Sequence, residues 1–405
     1  MENTLTQQIQ IRQYLPLYTV ILLGFLGYAL TITLFIPMLM DTNFLLLPAD
    51  ASTSMRLSLS GLLLAMYPLG QFFGSPIIGN LSDHYGRKKV LILSLIACSF
   101  GFLGMALSIQ FHLLNFLFVS SFLTGLFESN MAISQSVIAD RVQDSALKNK
   151  LIGYGYSACS LGYIIGPLLA GSTFSYNTPF FIVALSVPLL IIWIYQSFDE
   201  HSSVPNKIEK IKFTKSLLSI KSVFQNSKLR RIYLINFLIF FSVQGLYRVV
   251  PLYIEDTWTI SLHTFSLLIS FVSFMCFIAN LLILEKLASR YPTKVLLSGL
   301  LFFSGLSILL IVLPKDFNWI WLTYGIVAIP TVMALPTCTT WLSEHVLAKE
   351  QGQALGNNQA LLVFGEASSA ALGGMVAAIM VPLPIIMTAC ILLVTGVLVR
   401  SSKAD

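Results

Sequence analysis

Glu128, Glu366 and Arg248 are the residues of this chain best placed to do chemistry, because each lies deep in a long apolar run where an isolated charge is costly. A carboxyl group in such a setting can take up and release a proton, since loss of water penalises its charged form. Glu128 is followed by Asn130, Ser134 and Gln135, so its run carries a polar stripe. It reads either as a proton-binding group or as a neutral or paired acid that joins two helices. Arg248 cannot shed its proton and needs an anion nearby: Glu128, Glu366, or a carboxylate or phosphate on a bound solute, unless its long stem snorkels to the membrane surface. Gln244 precedes it by four residues, on the same helical face. Tyr67, Gln71, Tyr247, Tyr324 and Trp341 complete the candidates for lining a polar cavity, set against the plainer role of aromatic rings in packing.

A second constellation is Gly79-Asn80-Leu81-Ser82-Asp83-His84-Tyr85-Gly86-Arg87-Lys88-Lys89, wedged between two apolar runs. It predicts the short loop of a membrane hairpin, with Gly86 supplying positive φ and the bases holding the loop on the cytoplasmic side. Asp83 is placed to accept from a helix N-terminus and to pair with Arg87, and Asp140 ends the fourth apolar run at the same face. In the fifth run Gly155, Gly162, Gly166 and Gly171 stand with Ala170 at helical spacing, which predicts a seam for close backbone approach, and Pro167 permits a bend. The five cysteines (Cys98, Cys159, Cys276, Cys338, Cys390) fall inside apolar runs at no metal-ligand spacing and read as small buried hydrophobes. The histidines lie at run ends or in loops, and none is assigned to proton transfer. No phosphate-binding G-x-x-x-x-G-K-[ST] pattern occurs and no soluble segment could hold a catalytic domain, so no enzyme, cofactor or metal is expected.

These residues must be positioned by elements whose solvent is lipid. With 56% hydrophobic and 10% charged residues in 405, the composition lies far outside the soluble range. Apolar runs of about 20 residues, each long enough to cross a bilayer core, predict an all-α membrane protein of twelve spans. The first six lie near 15–40, 57–79, 90–109, 113–139, 151–174 and 179–198. The second six lie near 232–253, 265–284, 295–313, 319–342, 354–379 and 382–399. Of the 24 bases, only Arg56 and Lys315 fall in loops on the outer side and only Arg248 inside a span, which orients both termini to the cytoplasm and leaves no surplus for nucleic acid. The polar stretch 199–231 reads as a cytoplasmic linker between two six-helix bundles, 1–198 and 232–405. Leu287 to Lys294 repeats Leu81 to Lys88 weakly, about 206 residues further on.

The pattern G-x-L-S-D-x-x-G-R-K resembles the loop between helices two and three of the major facilitator superfamily of secondary transporters. The fifth run resembles a helix motif of its antiporting members, G-x6-G-x3-G-P-x2-G-G, with Ala170 in place of one glycine. An Arg common in the fourth helix of those relatives is replaced by Ser121, four residues before Gly125. The resemblance implies twelve helices in two pseudosymmetric bundles, with helices one, four, seven and ten lining a cavity that would hold Glu128 and Arg248. Glu366 would sit on a helix between the halves, in gating or proton binding. Gly79, Asp83, Gly86, Arg87, Lys88 and Asp140 would form a latch that breaks as the halves rock. The implied function is proton-coupled export of a small organic solute or drug by a monomer in the bacterial inner membrane. The alternatives are transport of an anionic metabolite such as a carboxylate-type siderophore, with Arg248 as its anchor, and a non-transporting membrane receptor.

Overall fold

The computed structural model describes residues 13–142, 145–173, 175–197, 227–258, 260–347 and 351–402. The linker expected at 199–231 lies outside them as far as residue 226. The described chain is helical throughout. The first half holds α1 (Leu15–Met40), α2 (Thr53–Tyr85), α3 (Arg87–Gln110), α4 (Leu114–Phe127), α5 (Asn130–Arg141), α6 (Ser145–Ser172) and α7 (Thr178–Ser197). The second half holds α8 (Ser227–Thr257), α9 (Leu262–Ile278), α10 (Leu284–Ala288), α11 (Thr293–Ile308), α12 (Asn318–Ser343), α13 (Gln351–Ala377) and α14 (Leu383–Ser401). A π-helical turn, Ala279–Ile283, joins α9 to α10 in one span. With α4 and α5 also sharing a span, the helices make twelve crossings. Among the described residues eleven are long and apolar enough to cross a membrane, and α6, at 28 residues, has the length.

The charged segment after Gly79 departs from expectation. Residues 79–85 are the last turns of α2 and Arg87–Lys89 the first turn of α3, so the loop shrinks to Gly86, at φ 96°. Hydropathy marks where lipid ends, whereas a helix continues until something other than polarity stops it. Here a left-handed glycine does.

The helices are inside-out relative to a soluble bundle. Phe100, Leu185, Leu189, Phe303 and Ile379 each leave two thirds or more of their surface exposed, while Thr31, Thr33, Ser60, Ser121 and Thr124 are buried. Those inward hydroxyls include Thr31 and Thr33, which bond back to the carbonyls of Tyr28 and Ala29 at 2.7 and 2.9 Å. Lipid rewards the outward apolar groups, and helices pack on small inward residues. Cys98 and Cys338 are buried and Cys159 and Cys276 half-buried, but Cys390 is exposed on the outward side of α14, contrary to expectation.

The chain forms two compact units, one from residues 1–34 and 69–213, the other from 35–68 and 214–405. In the first, Leu17, Ile21, Leu91, Ile133, Ile138 and Ile194 centre a core on which α1, α3, α5 and α7 converge. In the second, α8 is the hub, packed on α13, α14 and α12. This unit includes the end of α1 and the first half of α2. Gly61 of α2 meets α13 so closely that a Cβ there would lie 2.6 Å from Cα of Gly374, and Ser54 Oγ donates to the Ala378 carbonyl at 2.9 Å.

The same unit holds a buried cation that meets no carboxylate among the described residues. Arg56, 3% exposed, donates to the carbonyls of Leu39 (2.7 Å), Pro48 (3.0 Å), Ala51 (3.3 Å) and Asp41 (3.5 Å). It thereby caps the C-terminal end of α1 and folds the α1–α2 loop around its guanidinium. Arg56→Ala is expected to lower the midpoint of thermal unfolding in detergent by the equivalent of about 2 kcal/mol or more, and Arg56→Lys, which lacks the planar fork, to recover only a minor part of it.

Candidate functional site

The fourth span is two helices. Gly70 and Gly74 of α2, one turn apart, let its backbone press against the end of α4: a Cβ on Gly70 would lie 2.7 Å from the Leu126 nitrogen, and one on Gly74 would strike the Leu126 carbonyl. Just beyond, Glu128 turns extended (φ −83°, ψ 101°) and Ser129 leaves helical geometry (φ −131°, ψ 24°), before α5 starts at Asn130. Glu128 N–H still closes α4, donating to the carbonyls of Thr124 and Gly125 at 3.1 Å. The span expected over 113–139 is found at 114–138, with a break inside it at Glu128 and Ser129. Ser and Asn at the break favour caps and turns over helix interiors, which the averaged hydropathy of the run hides.

The break carries the acid. Glu128 is 3% exposed, and Gln71, set between the two glycines of α2, donates its amide to Glu128 Oε2. The other oxygen lies over α1, where a Cβ on Gly24 would be 2.8 Å from Glu128 Oε1. Of the cavity candidates, Gln71 and Asn130 join this group. Gln135 is half-buried further along α5, and Tyr67 is buried earlier on α2. Gly24, Gly70, Gly74 and Ser129 were not singled out from the sequence, although Gly70-x-x-x-Gly74 is a readable helix-contact signal.

The second unit holds the other charges. Arg248 on α8 pairs with Glu366 on α13, with side chains 2% and 6% exposed. Of the partners left open for Arg248, Glu366 is the one it meets. Gly245 and Gly365 let α8 and α13 approach, with Ser369 Cβ and the Phe241 nitrogen at 2.9 and 3.0 Å from the respective Cβ positions. Tyr247 hydrogen-bonds Thr331 Oγ1 (3.0 Å) and Cys276 (3.3 Å), tying α8 to α12 and α9, and Gln244 is half-buried beside them. A buried pair broken on one side leaves an uncompensated charge. Glu366→Gln is expected to destabilise by about 3 kcal/mol or more, and the double variant Arg248→Met with Glu366→Leu to be more stable than Glu366→Gln alone, measured by thermal unfolding of the purified protein.

At the charged turn Arg87 reaches Asp83 Oδ1 (2.5 Å), Asp140 Oδ2 (3.3 Å) and Ser82 Oγ (2.7 Å). Gly86 is the N-cap of α3, and the partner shown for Asp83 is Arg87 in that helix's first turn. Lys88 Nζ donates to the Tyr195 carbonyl at the end of α7 (3.0 Å). The later copy of the turn keeps these positions with different chemistry. Thr293, which aligns with Arg87, donates to Glu344 Oε1 at 2.5 Å, and Lys294, which aligns with Lys88, donates to the Ser402 carbonyl just past α14.

The glycine seam of α6 lies on α1. A Cβ on Gly162 would fall 2.7 Å from the Leu22 carbonyl, one on Gly166 2.7 Å from that of Leu26, and one on Gly155 3.3 Å from Ile21. Ala170 is buried beside them, Gly171 is half-buried, and α6 runs through Pro167 unbroken. Gly153, on the same helix, has nothing within 4 Å of its Cβ position. Alanine at the two sites is therefore expected to act with opposite sign: Gly162→Ala lowers the unfolding midpoint through overpacking, and Gly153→Ala leaves it unchanged or raises it through helix propensity. Among the described residues no cluster of three or more His, Cys, Asp or Glu is arranged to hold a metal.

Comparison with known proteins agrees with this architecture. The model of the Major Facilitator Superfamily matches residues 17–257 and 232–403, and the chain belongs to that family. It is similar to the class B tetracycline resistance protein of Escherichia coli, 39% identical over 127 residues, an alignment that covers only 31% of each chain. It is also similar to the quinolone resistance protein NorA of Staphylococcus aureus (strain COL), at 24% identity over 97% of both chains. In three dimensions it matches the D-xylose-proton symporter with a TM-score of 0.71, covering 95% of this chain and 97% of that one at 16% identity. The fold is that of the superfamily, and the chain is a membrane transporter rather than an enzyme.

Proposed function

We propose that this transporter exports a small, drug-like organic solute across the bacterial inner membrane in exchange for protons, as a monomer with both termini cytoplasmic. The observation that carries the reading is Glu128: a carboxyl enclosed at a helix break, held by Gln71 and faced by Gly24. Protonation removes its charge and loosens the Gln71 contact, which changes how α2 and α4 hold each other and biases the bundle between two states. The tetracycline and quinolone resistance in the relatives' names supports a drug-like solute as the cargo. One proton driven by the membrane potential supplies about 2.3 kcal/mol per 100 mV, enough for roughly a fifty-fold gradient.

In this reading the solute is met by Gln135 in the first unit and by Tyr67, Gln244 and Tyr247 in the second, and transport proceeds by alternating access. The Arg87 latch, made with Asp83 and Asp140, opens and closes during the cycle. The Arg248–Glu366 pair acts as a joint of the second half, and an anionic solute anchored on Arg248 would first have to displace Glu366. In proteoliposomes with an imposed pH gradient, Glu128→Gln is expected to abolish solute-coupled proton flux and to remove the pH dependence of transport. Unchanged rate and pH dependence in that variant would refute the assignment.

A further inference from the structure

We propose that the groove walled by α2 and α3 beside the charged turn binds one phospholipid, and that Lys89 makes the site prefer an anionic headgroup. The three consecutive bases of the turn divide in use. Arg87 is held by Asp83, Asp140 and Ser82, while Lys88 donates to the Tyr195 carbonyl and lies 5.0 Å from the centroid of the Tyr195 ring. Lys89, the third, is exposed and makes no ion pair among the described residues. It stands at the edge of a cavity of about 390 Å³, large enough for a small ligand.

The walls decide what enters. Ile78 and Leu81 of α2, Val90 and Leu93 of α3 and Phe127 at the end of α4 line the cavity, and Tyr85 joins Lys89 at its mouth. All of them belong to the first compact unit. The remaining polar group of the lining, the buried Ser94 hydroxyl, gives its proton to the Leu91 carbonyl at 3.1 Å. The interior therefore donates no hydrogen bond to a ligand. What fits there is hydrocarbon, with its polar end at Lys89.

The groove continues along a lipid-facing stripe. Lys89, Leu93, Ile96 and Phe100 follow at spacings of four, three and four residues on one face of α3, and the three apolar side chains are exposed. From Lys89 to Phe100 the helix rises about 16 Å at 1.5 Å per residue, against roughly 15 Å for half of a 30 Å hydrocarbon core. The stripe is as long as one leaflet is deep, which sets the ammonium at headgroup level. A purely apolar molecule would fill the cavity and leave the cation unanswered. Free phosphate would meet the cation and leave the groove empty. A phospholipid does both, and an anionic one also balances the charge.

The test uses the purified full chain in detergent with phosphatidylglycerol, phosphatidylcholine or glycerol 3-phosphate added. Phosphatidylglycerol is expected to raise the midpoint of thermal unfolding saturably, at about fivefold lower mole fraction than phosphatidylcholine, the preference one Lys provides near a membrane surface. Glycerol 3-phosphate is expected to leave the midpoint unchanged. Lys89→Ala is expected to abolish the preference and Lys89→Arg to keep it. Arg290→Ala, which removes an exposed base of the corresponding turn in the second half, is expected to keep it as well. Placement is read separately in vesicles with Leu93→Trp, whose added emission brominated phosphatidylglycerol is expected to quench more strongly than brominated phosphatidylcholine. Equal response or equal quenching by the two lipids, a preference that survives Lys89→Ala, or one that Arg290→Ala also removes overturns the site. A rise in midpoint with glycerol 3-phosphate assigns the cation to free phosphate and overturns the lipid.

Discussion

A peptide group in lipid has no water to bond, so a span must close its own backbone hydrogen bonds or be given partners by its neighbours. Almost everything in this chain follows from that constraint. The spans are helices, they continue past the edge of their apolar windows, and hydroxyls that would cap or break a soluble helix are turned back onto carbonyls within the same turn. The constraint also makes the interrupted fourth span informative. At Glu128 and Ser129 the ladder stops inside the bundle, and the protein surrounds the gap with α1 and α2 instead of lipid.

What lets those neighbours come close is the absence of side chains. Gly24, Gly70 and Gly74 bring α1 and α2 to the break, Gly162 and Gly166 bring α6 to α1, and Gly245, Gly365 and Gly373 bring α8 to α13. In water, burying leucines would hold such helices together. In lipid the surrounding chains are as apolar as leucine, so close van der Waals contact between backbones must do it. The two buried acids of the spans sit at these glycine contacts. Close backbones exclude lipid and water together, and a charge so enclosed has to answer to a chosen partner, Gln71 in one unit and Arg248 in the other.

This division explains what could be read from the residues alone. Span number and order follow from apolar runs, because lipid imposes a length, and the charged turn follows from Gly86 and the spacing of Asp83, Arg87 and Asp140. The α6 seam was legible as a pattern, though its partner helix was not. The break in the fourth span escaped notice because averaging over a window erases two residues. Yet Gly70 and Gly74 stood in plain view one turn apart, beside Gln71. The partner of Arg248 was undecidable from sequence, because three anions satisfied the same electrostatic need and only the packing of α8 on α13 selects one. Arg56 misled in a different way: as a basic residue it counted toward orientation, whereas in the fold its charge is spent on the Leu39 carbonyl at the end of α1 and on three loop carbonyls.

The two copies of the charged turn share one contact and differ in the rest. Lys88 and Lys294 both donate to backbone carbonyls at the end of the last span of their half, so this contact belongs to the fold itself. Their neighbours differ. Arg87 shares two exposed carboxylates, whereas Thr293 makes one neutral-to-acid hydrogen bond to Glu344. Exposed ion pairs are weak, sensitive to salt and readily exchanged, and a shared Arg can trade one carboxylate for another without leaving a charge stranded. The hydrogen bond has no second acid to trade with. The repeat thus preserves position while its chemistry diverges, a cation shared between two carboxylates in the first half and a single hydrogen bond to one acid in the second.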